Sequence, residues 1–337
     1  MSFNTTTATS DMSMQLLRSE QDWKDDLIVV CTWLTLTLYA LVANILIVVG
    51  VSSSVVMRNS TSYWLIISLC VCDIGMVIVS LAHLIPSTAF HNAFCEIDSL
   101  RNLLMIFIYD IFWYTEVVHF GVMAMNRYTS IVHPTHYTTW FSTRRTAYIV
   151  VFCYLLGLAV SVPTLLPCCH TLWDPYNYIS IYTPPDTWYK YIDLGINAIS
   201  LAVMVISYAT IFSKVRRINR RFQQHGVLRK SSYKQCSKKE LALFMQFLAT
   251  SVFYLLTWTT WQWLPHISAS KWIYFVMTSL FFINNSINPT IYLVFNTSLR
   301  RRICGLLWRK QDFWTSSAQK ITLKPLSLNP LAKSKAR

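Results

Sequence analysis

The chain has 337 residues, 54% of them hydrophobic and only 13% charged, with a mean hydropathy of +0.39. Such values exclude an ordinary soluble domain and point to a multispanning membrane protein. The formal charge of +14 falls in runs, Lys214, Arg216, Arg217, Arg220, Arg221, Arg229 and Lys230 between two apolar blocks and Arg300, Arg301, Arg302, Arg309 and Lys310 after the last one; each run borders a spanning segment, so it marks a cytoplasmic face and not a nucleic-acid partner.

Residues 1–26 are polar and lean acidic, with Asp11, Glu20, Asp22, Asp25 and Asp26, and Asn4-Thr5-Thr6 is a glycan acceptor pattern. No basic segment leading into a short apolar run precedes them, so they read as an extracellular N-terminus with no cleaved leader. Residues 27–295 form the spanning region. Helix one runs from Leu27 to Val51 around Asn44, and helix two from Ser62 to Ile85 around Asp73, stopping at Pro86. Helix three begins near Arg101 and ends before His133-Pro134. Helix four, Ala147 to Leu166, is broken at its outer end by Pro163 and Pro167. A longer outside loop, Cys168 to Trp188, is rich in aromatics. Helix five spans Tyr189 to Phe212 and holds Tyr208; helix six spans Lys239 to Leu264 and is bounded by Pro265; helix seven spans Trp272 to Phe295 and carries Asn284, Asn285, Asn288 and Pro289. Each block is near the roughly 20 residues that cross a bilayer. Seven crossings put the termini on opposite sides, so the expectation is an all-α seven-helix bundle in the plasma membrane, N-terminus outside and C-terminus cytoplasmic. In residues 296–310, Leu299, Ile303, Leu306 and Leu307 recur at helical spacing opposite Arg300, Arg301 and Arg302, the pattern of a helix lying on membrane lipids; Cys304 within it is a candidate for acylation. Residues 311–337 are polar and basic and read as a disordered tail.

Helix three organises the rest. Reading backward from Arg127 at helical spacing gives Met123, Phe120, Glu116, Trp113 or Phe112, and Tyr109 on one face. Glu116 lies eleven residues before Arg127, about 16 Å up the axis and near the middle of the hydrocarbon core. An acid at that depth must face protein or a watered cavity. Tyr109, Trp113, Trp258, Trp261 and Phe282 are candidates to line a pocket in the outer half. Asp110 is the other acid in helix three, about 100° around the axis from Tyr109, and is either a counter-ion for a cationic ligand or a partner within the bundle. Nothing resembles a catalytic constellation, and a chain with seven glycines has no phosphate-cradling loop. It does not read as an enzyme.

Asn126-Arg127-Tyr128 followed by Ile131-Val132-His133-Pro134 resembles the acid-Arg-Tyr signature of the rhodopsin-like receptors that couple to heterotrimeric G proteins, and Asn288-Pro289-Thr290-Ile291-Tyr292 resembles their helix-seven signature. Asn44 and Asp73 fall where that superfamily keeps polar residues in helices one and two. The likeness covers Leu27 to Leu307. Within it, the Asn-Arg-Tyr variant, the aromatic-rich loops and Tyr292-Leu293-Val294-Phe295-Asn296 look most like nematode chemoreceptors, serpentine receptor class x. The resemblance implies an extracellular ligand, small molecule or peptide, and a G-protein partner engaged through Asn126, Arg127, Tyr128, Tyr208, Asn288, Pro289 and Tyr292, with the two tyrosines reorganising around Arg127. It also implies a polar cavity, made here of Asn44, Asp73, Glu116, Asn284 and Asn288, that holds sodium in the family. Two carboxylates there require either a proton or a cation between them; apart from that ion, no cofactor or metal centre is expected. Cys95 with Cys168 or Cys169 is the expected bridge, since all three face the oxidising side, although Cys95 lies farther ahead of Arg127 than the family's bridging cysteine. A seven-helix ion or proton pathway through Asp73, Glu116 and Asp110, or a signalling-silent receptor-like scaffold, are the competing readings.

Overall fold

The computed structural model describes the backbone of residues 5–225 and 230–307, and the side chains of residues 22–217, 220, 245 and 248–306. The glycan pattern at Asn4 and the tail from residue 311 lie outside the described residues.

The apolar blocks fold as long helices: α1 (Thr5–Ser52), α3 (Thr61–Val79), α5 (Leu100–Val132), α7 (Thr143–Ser161), α8 (Tyr189–His225), α9 (Lys230–Ile267) and α10 (Lys271–Phe295). Among the described residues, five stretches, Asp22–Ser52, Thr61–Ala93, Leu100–Val132, Thr143–Leu165 and Tyr189–Arg217, are long and apolar enough to cross a membrane. Helix α5 is the axis of the bundle, packed on α3, α7 and α8, while α10 closes the ring between α1 and α9. Short helices α2 (Val55–Arg58) and α6 (Pro134–Trp140) turn the chain at one end. At that same end α11 (Thr297–Leu307) buries Leu299 and Ile303, and its Arg302 donates to Ser53 O (2.6 Å) and Oγ (3.1 Å), docking it on the end of α1.

Several elements differ from the sequence expectation, each for a local reason. Helix two does not stop at Pro86. A π turn over Ser80–Leu84 precedes α4 (Ile85–Phe90), and Pro86 sits in the first turn of α4, where a missing N–H costs no ladder hydrogen bond. Helix α9 likewise runs past Pro265 to Ile267, so that proline lies inside the last turn and does not bound it. Helix α1 begins at Thr5, well before Leu27. The break near Pro163 is present, as a 3-10 turn over Val162–Leu165.

The outside loop is not irregular. It forms an antiparallel hairpin of β1 (His170–Asp174) and β2 (Ile179–Thr183), with Leu172 paired to Ile181. Tyr178 at its turn has a φ of 61°, unfavourable for an aromatic residue and tolerated only where the surroundings fix it. They do: its hydroxyl donates to Asp26 Oδ1 of α1 (2.6 Å), its carbonyl accepts from Thr278 Oγ1 of α10 (2.6 Å), and its ring meets Trp33 edge-on at 6.0 Å. Burial, together with the Asp26 carboxylate, pushes the Tyr178 phenol well above its ordinary range, so it remains a donor. Lys271, at the start of α10, adds ion pairs to Asp22 (2.9 Å) and Asp25 (2.6 Å), so the extended start of α1 and the hairpin form one cap over this end.

Candidate functional site

Three clusters lie along α5. The first is at the hairpin end. All six aromatic and acidic residues expected at a pocket, Tyr109, Asp110, Trp113, Trp258, Trp261 and Phe282, line one cavity. Tyr109 and Asp110 both reach it because it extends around α5, bounded on one side by α9 and α10 and on the other by the hairpin and α8. Phe281 joins the walls, with Trp113 at 4.8 Å and Trp261 edge-on at 5.3 Å. Trp173 and Tyr182 of the hairpin form its cover.

Sequence reasoning missed the polar side of this cavity. Asp193, one turn into α8, accepts from Tyr114 Oη (3.0 Å) and Asn197 Nδ2 (2.9 Å) at one oxygen and from Tyr182 Oη (3.3 Å) at the other. Asn197 Oδ1 in turn accepts from Tyr254 Oη of α9 (2.5 Å), and Tyr254 packs on Phe120 at 5.0 Å. A polar chain thus runs from the cavity cover to the buried face of α9. The signal available in the sequence was the i, i+4 spacing of Asp193 and Asn197, which puts both on one helix face.

The expected disulfide is not formed. Cys95, Cys168 and Cys169 are all free thiols. Cys95 lies in the turn before α5 with Sγ against Ser99 Oγ (2.9 Å), while Cys169 is fully buried and Cys168 exposed. Asn102 ties the hairpin to α5 instead. Its Nδ2 donates to Trp173 O (2.9 Å) and Ile97 O (2.7 Å), and its Oδ1 accepts from the Trp173 N–H (3.2 Å) and lies 2.9 Å from His83 Nε2.

The second cluster is at mid-bundle. Asn288 Nδ2 donates to Asp73 Oδ2 (3.2 Å) and to Glu116 Oε1 (3.0 Å), and Asn284 Nδ2 donates to the same Glu116 oxygen (3.1 Å). Asn44 Nδ2 donates to the Asn285 carbonyl (2.9 Å) and to Ala40 O (3.0 Å), joining α1 to α10. All five expected polar residues are fully buried. Four oxygens, Glu116 Oε2, Asn44 Oδ1, Asn284 Oδ1 and Asn288 Oδ1, have no hydrogen-bond partner. Unmet acceptors beside two carboxylates are the donor set a hard cation takes.

The third cluster is at the α11 end. Arg127 is 2% exposed and therefore does not snorkel into lipid. Its guanidinium donates to Asn126 Oδ1 and Ser62 Oγ, and Ser62 lies 2.9 Å from Tyr137 Oη of α6. Asn126 Nδ2 also reaches Tyr137 Oη (3.4 Å). The amide that replaces the usual acid therefore still accepts from Arg127, without a formal charge. Tyr208 Oη meets Ser251 Oγ of α9 (3.0 Å), Tyr292 is fully buried, and Tyr128 Oη lies 3.2 Å from His133 Nε2. Pro289 is accommodated within an unbroken α10. Ser62 and Tyr137 carried no sequence signal, since they meet Asn126 and Arg127 from separate elements, α3 and α6 against α5.

Residues 34–296 match the family described as "Serpentine type 7TM GPCR chemoreceptor Srx". The chain is 24% identical over 293 residues to human olfactory receptor 4Q2, covering 80% of this chain and 87% of that protein. It is 22% identical over 310 residues to mouse melatonin receptor type 1A, covering 86% and 85%. Over a shorter stretch of 134 residues it is 28% identical to a 5-hydroxytryptamine receptor 1A-beta of Takifugu rubripes, covering 38% and 31%. The chain belongs to the serpentine Srx family of seven-transmembrane, G-protein-coupled chemoreceptors.

Proposed function

We propose that the hairpin end faces the outside of the plasma membrane, that a small ligand enters the cavity beneath the hairpin, and that its binding is transmitted along α5 to a G-protein groove around Arg127. The observation that carries this reading is the burial of Arg127 at the α11 end of the bundle, where its guanidinium donates to Asn126 and Ser62. A hydrogen bond from arginine to an amide is weaker than one to a carboxylate, so Asn126 restrains Arg127 less than an acid at that position would. Asn126, Tyr128, Tyr208, Asn288, Pro289 and Tyr292 frame that latch, and movement of α9 opens it. The neutral acceptor also makes the resting state leaky, so the receptor has basal activity.

The mid-bundle cluster fits a sodium ion. Asp73 and Glu116 would supply charge, and the unmet oxygens of Asn44, Asn284 and Asn288 would complete its shell. Bound there, the ion would compensate the two carboxylates and hold α1, α3, α5 and α10 together. Sodium therefore stabilises the resting bundle. Expression in a reporter cell with an odorant and metabolite screen tests the receptor reading, and the same cells compare Glu116→Gln with wild type across sodium concentration. A sodium-dependent wild type and a flattened variant are expected; identical curves remove the ion from the scheme. For orientation, an epitope at the N-terminus should be labelled by antibody on intact cells.

A further inference from the structure

The cavity at the hairpin end carries a charge that the bundle does not balance. Two carboxylates line it, Asp110 from α5 and Asp193 from α8, and none of its lining residues is Lys, Arg or His. Asp193 is served by three neutral donors, Tyr114, Asn197 and Tyr182. Asp110 differs: its Oδ2 is sealed from solvent and has no hydrogen-bond partner. An ionised carboxylate taken out of water in this way is strongly disfavoured until a cation or a set of donors meets it. Much of the remaining wall is aromatic, Trp113, Trp258, Trp261 and Tyr182 among it, and ring faces attract organic cations while giving little to anions. An acidic ligand would bring a third negative charge into the same enclosure, and a neutral one could donate to Asp110 but would leave its charge uncompensated.

We propose that this cavity recognises a small organic cation, a protonated amine whose N–H donates to Asp110 Oδ2 while its carbon skeleton packs on the indole rings. Asp193 adds a second negative charge that draws the cation in, and its chain through Asn197 to Tyr254 lies where an incoming ammonium group would perturb it. The proposal rests on the reading of this cavity as the ligand site.

The test uses isosteric triads that differ only in charge, such as 2-phenylethylamine, 2-phenylethanol and phenylacetate, and butylamine, butanol and butyrate. Each is added to the full-length receptor in lipid nanodiscs, and thermal unfolding is followed. The amine of a triad should raise Tm where its neutral and acidic isosteres do not, and Asp110→Asn or Asp110→Ser should weaken the apparent affinity for the amine by at least ~30-fold. If all members of a triad shift Tm equally and Trp261→Ala abolishes every shift, the cavity is the ligand site but the cation proposal is wrong. If an amine shift survives Asp110→Asn, Asp110→Ser and Trp261→Ala alike, the cavity reading fails and the proposal with it. An absence of any shift from the amines at millimolar concentration also overturns the proposal, and because the triads act on the unaltered receptor, that result does not depend on a variant folding.

Discussion

Asn102 uses both donors and its acceptor oxygen to join the turn before α5 to the first hairpin strand. Truncation to Ala leaves the Trp173 N–H and the carbonyls of Trp173 and Ile97 buried without these partners, at about 1–3 kcal/mol for each group that water does not reach. Asn102→Ala should therefore lower Tm in nanodiscs, whereas a reducing agent should leave the Tm of the wild type unchanged because Cys95, Cys168 and Cys169 are already thiols. A large drop on reduction would restore the covalent bridge. Tyr254 allows a finer test. Tyr254→Phe keeps the ring against Phe120 but removes the donor to Asn197. The variant should fold and bind amines as before while agonist efficacy changes, read as maximal nucleotide exchange against half-maximal concentration. An unchanged maximal exchange would make Tyr254 a mere packing residue.

At the scale of elements, the apolar blocks made the spanning helices legible, because nothing but a helix satisfies its own backbone within lipid. The hairpin was not legible. Four of the five residues of β1 are buried, against α1 and α5 as well as within the cavity cover, so the strand lacks the alternation that marks a half-exposed strand. Pro86 misled for the opposite reason, since a π turn one residue earlier removes the clash that would have ended the helix. Tyr109 and Trp113 were found because they share the Arg127 face of α5, whereas Asp193 and Tyr254 belong to the site only through contacts between helices. The tightest of the helix contacts is also testable. A Cβ at Gly157 of α7 would collide with Thr115 Oγ1 and lie 2.8 Å from the Ile111 carbonyl of α5. Gly157→Leu should force these helices apart and cost roughly 1–3 kcal/mol, seen as a lower Tm and reduced surface delivery. A variant as stable as wild type would show that α7 packs elsewhere.

Across the whole molecule, α5 links a capped cavity, a buried carboxylate cluster and the buried Arg127, the three sites that the proposed function connects. Asp110 and Glu116 are separated by less than two turns of one helix, and Arg127 lies three turns beyond Glu116. A ligand that shifts α5 or α9 at one end is thereby felt at the other. In the proposed scheme the uncharged Asn126 leaves the resting state less tightly held than an acid would. Basal nucleotide exchange on a panel of purified heterotrimeric G proteins, with receptor in nanodiscs and no ligand, measures this directly. The wild type should exceed empty discs, Asn126→Asp should reduce the excess by ~3- to 10-fold through a charged partner for Arg127, and Arg127→Ala should bring it to the level of empty discs. Exchange by Arg127→Ala equal to that of wild type would contradict the latch and the signalling route built on it.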